Sequence, residues 1–207
     1  VSPRTRLLFL VFALVAVASG FTVFQRYFRD PDLPVVARFA VNFQGVDGVV
    51  KLYGEDVWPT VVAQFERPAS TDAVYDGRFH TIHARAAVWT RALPHEASHL
   101  FDDRTGERDV EAQVPGCRAN PRAFSFDPHV ELDQVTRPDV LDYFCSKGEV
   151  LARFRWLVFT HYCGERALGS FGVPGFPACR VMPRYGELDL AHAERVARTA
   201  RPLRGGR

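Results

Sequence analysis

Apolar residues are spread unevenly along the chain. Leu7 to Phe24 is a run of eighteen residues without a charge, bracketed by Arg4 and Arg6 before it and Arg26 and Arg29 after it. A run of that length can cross a thin hydrocarbon core or serve as the apolar region of a signal peptide. Ala16-Val17-Ala18 before Ser19 has the small-residue pattern of a cleavage site, whereas continuation of the run through Phe21, Val23 and Phe24 favours a retained anchor. Both readings put the rest of the chain outside the cytoplasm. The Pro- and Asp-rich stretch 29–34 then reads as a linker. The organisation predicted is an N-terminal signal-anchor or signal peptide over 1–30, a domain over 31–194 and an Arg-rich tail over 195–207.

Within the domain the pattern changes from short apolar stretches to longer helical ones. Val35 to Phe43 suits a short helix or a strand; Gly45 to Gly48 marks a turn, followed by a strand over Val49–Tyr53. Trp58 to Phe65, apolar and β-branched, predicts another strand, and Asp76-Gly77 a hairpin turn leading into an alternating strand over Arg78–His83. From Ala84 the spacing becomes helical. Pro94 predicts a fresh helix running to about Asp103, because proline is tolerated in a first turn and disrupts a helix interior. A turn at 104–106 and a second helix over Glu107–Val114 follow. Val140 to Tyr162 predicts one long core helix, with Gly148 as a break and Val150, Leu151, Phe154, Leu157 and Val158 at helical spacing. The stretch from Gly164 to Gly186 is rich in Gly and Pro and reads as irregular.

Charge removes one class of function. The chain carries a formal +2, but residues 31–194 hold 17 basic and 23 acidic side chains, a net of −6. Nucleic-acid binding needs a basic footprint, so it is excluded. Cys117, Cys145, Cys163 and Cys179 all lie in the exported part and form no C-x-x-C pair. In an oxidising compartment that count predicts two structural disulfides, with three pairings open.

One short pattern carries specific chemistry: His95-Glu96-Ala97-Ser98-His99, or H-E-x-x-H. On a helix, residues i and i+4 share a face, so two imidazoles can hold one Zn²⁺ while the neighbouring Glu96 takes a proton from a bound water. A catalytic zinc needs a third protein ligand. If Pro94–Asp103 and Glu107–Val114 formed an antiparallel helical hairpin, Glu111 would lie level with His99, and Glu107 nearer the turn. Glu111 is therefore the expected third ligand and Glu107 the alternative. His80 and His83 face opposite sides of a strand and suit structural roles, as do Trp58, Trp89 and Trp156. His161 with Tyr162 suits a packed helix end more than an oxyanion donor. There is no Gly-x-Ser-x-Gly elbow, phosphate loop or dinucleotide fingerprint.

HEASH followed by a carboxylate-bearing second helix resembles the gluzincin branch of zinc metallopeptidases. The string Asp109-Val110-Glu111-Ala112-Gln113 with Cys117 close behind, together with Phe79–His83 and the region from Cys179 to Leu190, is similar to small exported actinobacterial proteins with the same motif. The resemblance implies an α+β, zincin-like domain with a few strands before the H-E-x-x-H helix. It further implies His95, His99 and Glu111 as zinc ligands, Glu96 as catalytic base, and zinc-dependent hydrolysis of a peptide or protein substrate at a membrane-anchored domain. The alternative is a non-enzymatic envelope binding or scaffold protein with a degenerate or structural zinc site.

Overall fold

The computed structural model describes residues 33–106, 109–126, 135, 137–181 and 183–199. The run Leu7–Phe24, Glu107, His129 and the tail beyond Thr199 fall outside those residues. No helix among the described residues is long and apolar enough to cross a membrane.

The fold is mixed α+β, a four-stranded sheet and seven α-helices among the described residues. Strands β1 (Ala37–Phe43) and β2 (Val46–Tyr53) form an antiparallel hairpin. Its turn is Gln44-Gly45, with φ of 48° and 92°, the positive pair a two-residue hairpin loop uses. The turn is thus tighter than the Gly45–Gly48 expected, and β2 starts earlier. Strand β4 (Thr81–Arg85) lies parallel to β2, and β3 (Ala73–Asp76) pairs antiparallel with β4, giving the order β1-β2-β4-β3 with β3 at an edge.

Residues Trp58–Gln64 form a helix, α1, where a strand was expected. Trp58, Val61 and Val62 are buried at i, i+3 and i+4, and Pro59 sits in the first turn, where its missing N–H costs nothing. These side chains join Tyr53 and Val74 in a small core on one face of the sheet.

The other face carries α2 (Trp89–Thr105), which contains the H-E-x-x-H residues. The helix runs straight through Pro94 instead of restarting there. Pro94 lacks the N–H that would bond the Thr90 carbonyl, but the ring is buried and its own carbonyl accepts a hydrogen bond from the Tyr185 hydroxyl at 3.3 Å. Leu93, Ala97 and Leu100 face the core. Leu100 presses onto β2 at Gly48, where a Cβ would stand 2.5 Å from its side chain.

Beyond Gly106 the expected second helix is absent from the described residues 109–114. This segment runs instead alongside 145–148: Val114 N–H bonds Cys145 O (2.9 Å), Lys147 N–H bonds Ala112 O (2.8 Å) and Gly148 N–H bonds Val110 O (2.8 Å). Short helices α3 (Pro115–Ala119) and α4 (Pro138–Phe144) flank it. The predicted long helix is therefore two, α4 and α5 (Lys147–Cys163), interrupted at Cys145-Ser146 and not at Gly148. Helix α5 packs on α2, so the order of layers is sheet, α2, α5. Helices α6 (Arg166–Ser170) and α7 (Leu190–Thr199) complete the fold. Disulfides join Cys117 to Cys145 and Cys163 to Cys179, one at each end of α5.

Candidate metal centre

Helix α2 sets His95 and His99 one turn apart on the face turned towards α5, with their Nε2 atoms 3.3 Å apart. The third group is Glu149, in the first turn of α5. Its Oε2 lies 3.4 Å from His95 Nε2 and its Oε1 lies 3.3 Å from His99 Nε2. His95, His99 and Glu149 offer one ligand atom each within 4.8 Å of one another. A tetrahedron with metal–ligand bonds of about 2.0–2.1 Å has edges of about 3.3–3.4 Å; the two imidazole nitrogens stand one such edge apart and each carboxylate oxygen stands one such edge from one of them, a nitrogen and oxygen donor set that suits zinc.

Glu111 is not in that cluster. It is exposed, on the segment that runs beside 145–148, and its backbone carbonyl meets the Gln113 side chain. The hairpin register that pointed to Glu111 requires a helix the described residues do not form. Glu149 had a signal of its own: an acid inside an apolar helical stretch, with Arg153 four residues on. A buried carboxylate needs such a partner.

The surroundings hold Glu149 firmly. It is 7% exposed. The Arg153 guanidinium lies 3.7 Å from Oε2, over the Phe144 ring, and donates to the carbonyls of Phe124 and Phe144. The Tyr143 hydroxyl also hydrogen-bonds the carboxylate. Gly148 permits the close approach of α5 to its neighbours: a Cβ there would lie 3.3 Å from Val110 and 3.9 Å from His99 Nδ1.

The charges follow from these contacts. Burial pushes the Glu149 carboxyl up, but the charge of His99 and hydrogen bonds from both imidazoles override it and hold it well below the usual carboxylate range. For His99, burial favours the neutral ring; the Glu149 carboxylate, with smaller help from Glu96 and Asp102, outweighs it and lifts the pKa from 6.5 to about 9. Burial, then the charge and hydrogen bond of Glu149, raise the Tyr143 phenol.

Below the cluster, a buried network fastens α2 to α5. Arg155 donates to Asp102 at 2.6 Å and to Ser98 at 2.8 Å, and to the Leu188 carbonyl at 3.3 Å. Glu96 is half-buried and lines the cleft above the cluster. Among the described residues it makes no hydrogen bond or ion pair.

The cleft has a volume of about 1070 Å³. Its floor is α2, one wall is the chain from Arg67 to Tyr75, and the other comes from α4 and α5. Edge strand β3 belongs to the first wall. Arg85 N–H bonds Asp72 O at 3.0 Å, so by the antiparallel alternation Ala73 and Tyr75 turn their backbone N–H and C=O groups away from β4.

The remaining candidates lie elsewhere. His83 is fully buried with Nδ1 2.9 Å from the Tyr53 hydroxyl, and His80 joins Tyr75 and Asp103 at the β3–β4 turn. Both are structural. His161 and Tyr162 are exposed and do not line the cleft. Trp58 is buried; Trp89 and Trp156 are half-buried, and Trp156 lines the cleft. Set against known protein families, curated proteins and solved structures, the chain matches none.

Proposed function

We propose that this domain is a zinc-dependent peptide hydrolase of zincin-like build, working outside the cytoplasm. The single observation that carries the reading is the grouping of His95, His99 and Glu149, one donor atom from each within 4.8 Å of the others, at the floor of an open cleft. When bound there, zinc supplies a Lewis acid that acidifies water and polarises a carbonyl.

The chain's own residues supply the rest. Glu96, beside a ligand and engaged by no other described side chain, accepts the proton of the attacking water and returns it to the leaving nitrogen. Arg153 and Tyr143 hold Glu149 in one orientation, the role of supporting partners around metal ligands. The outward backbone groups of Ala73 and Tyr75 suit an extended peptide laid along β3, main chain to main chain. Two disulfides suit an oxidising compartment, and the apolar N-terminal run suits an anchor or signal that delivers the domain there.

The test is Glu96→Gln. It keeps size and leaves the three donor atoms untouched, so bound zinc and melting temperature should match the wild type. Cleavage of an unfolded protein substrate should fall by roughly 10²–10⁴, the usual loss on removing a general base. A wild type that cleaves nothing while binding zinc tightly would support a structural zinc in a scaffold protein instead.

A further inference from the structure

The cleft does not treat charge evenly. Most of its acids are already paired: Asp72 meets Arg85 at 2.8 Å and Arg91 at 2.5 Å, Asp102 meets Arg155, Asp103 meets Tyr75 and His80, and Glu149 meets Arg153 and the two imidazoles, which leaves Glu96 as the unpaired acid among the described lining residues. Arg91 and Arg153 are spent in those pairs, and Arg137 has a partner of its own. Arg67 differs. It is exposed at the cleft, and among the described residues its guanidinium meets no carboxylate. Its contact is the Tyr143 ring, with Cζ 4.9 Å from the centroid.

The backbone delivers it there at a cost. Glu66 N–H bonds Ala63 O and Arg67 N–H bonds Val62 O, the reciprocal pair that closes a helix end when the intervening residue is left-handed. That residue is Glu66, with φ 57°, a conformation glycine takes freely and glutamate does not. The end of α1 therefore projects Arg67 across the cleft onto α4. Stacking on a ring leaves the edges of a guanidinium open, and the planar fork matches a carboxylate. The same Tyr143 ring bonds Glu149 through its hydroxyl, so the open cation stands one aromatic ring from the metal cluster.

We infer that Arg67, stacked on Tyr143, is a subsite for a substrate carboxylate, placing a negative charge within roughly two residues of extended peptide from the bond at the cluster. The carboxylate is a peptide C-terminus or an Asp or Glu side chain, which share this chemistry. The inference deepens the hydrolase reading and rests on it for the word substrate, but not for the binding itself.

The test is calorimetric binding to the zinc-loaded Glu96→Gln chain, in which turnover is suppressed. Three probes are compared: acetyl-trialanine with a free carboxylate, its C-terminal amide, and acetyl-Ala-Glu-Ala amide. One or both acidic probes should bind at least about tenfold tighter than the neutral amide, and which of them does so identifies the source of the charge. Adding Arg67→Ala should shrink that preference to within about twofold, while affinity for the neutral amide and the melting temperature stay unchanged, since the Arg67 N–H bond to Val62 is retained. Arg67→Lys should keep part of it. Equal binding of all three probes, no binding of any, or a preference that survives Arg67→Ala would overturn the inference. The two proposals can fail separately. An Arg67-dependent preference in a protein that hydrolyses nothing leaves the subsite standing without the hydrolase. Cleavage of neutral peptides with no preference does the reverse.

Discussion

The two contributions to the candidate metal site are built in opposite ways. His95 and His99 are placed by helix geometry alone, since any α-helix through those residues puts them one turn apart. Glu149 arrives from fifty residues downstream, and nothing local aims it. Its position depends on the contacts of 110–114 with 145–148, the Cys117–Cys145 bridge, Gly148 and the packing of α5 on α2. The first contribution can survive much damage to the fold; the second cannot. Perturbations that spare α2 but disturb the start of α5 should remove metal binding first.

The largest effect should come from the fastening shared by both. Arg155→Met leaves Asp102 buried and without its cation. Breaking a buried pair from one side costs about 3–5 kcal/mol, to be read from denaturant unfolding of the metal-free protein. A loss below about 1 kcal/mol would mean that the α2–α5 contact is held mainly by apolar packing.

The two disulfides separate stability from metal binding. They close loops of 28 and 16 residues, so removing either by paired Cys→Ser substitution should cost a similar amount, about 3–4 kcal/mol. Only the loss of Cys117–Cys145 should weaken zinc binding markedly, because Cys145 lies four residues before Glu149, whereas Cys163 ends the same helix. Equal effects on zinc from both would show that α5 acts as one rigid body.

The H-E-x-x-H pair was legible because its geometry is contained in five residues. Two disulfides and a mixed α+β fold were legible from cysteine usage and from the shift of period along the chain. The place of Glu149 beside the two histidines was not, because it is a tertiary fact. The register that favoured Glu111 assumed a helix after Gly106; the chain there instead pairs with 145–148, which no periodicity in 107–114 announces. Helix α1 was hidden for another reason. Its β-branched run outweighed the i, i+3, i+4 spacing of Trp58, Val61 and Val62, which becomes decisive only once a sheet is present to bury them. Pro94 does not break α2: it is buried, and the Thr90 carbonyl left without a backbone donor belongs to an exposed residue.

A smaller effect concerns pH and again sets the metal-free site against the loaded one. Without metal, His99 has its pKa raised from 6.5 to about 9, so the stability its charge contributes is full below 6.5 and is lost as pH rises through 9. Metal binding needs the neutral ring, so zinc must displace that proton and binds more tightly as pH rises. The gain in melting temperature on adding saturating zinc should therefore widen from pH 6 to pH 8.5. A gain that narrows would place His99 outside the ligand set.

The central claim, that Glu149 completes a site begun by His95 and His99, is tested most directly by zinc content and affinity of the wild type, Glu149→Gln and Glu111→Gln, with cysteines oxidised. One zinc per chain is expected in the wild type and in Glu111→Gln, and an affinity lower by on the order of a hundredfold or more in Glu149→Gln. Zinc retained by Glu149→Gln and lost by Glu111→Gln, or a wild type without stoichiometric zinc, would contradict it.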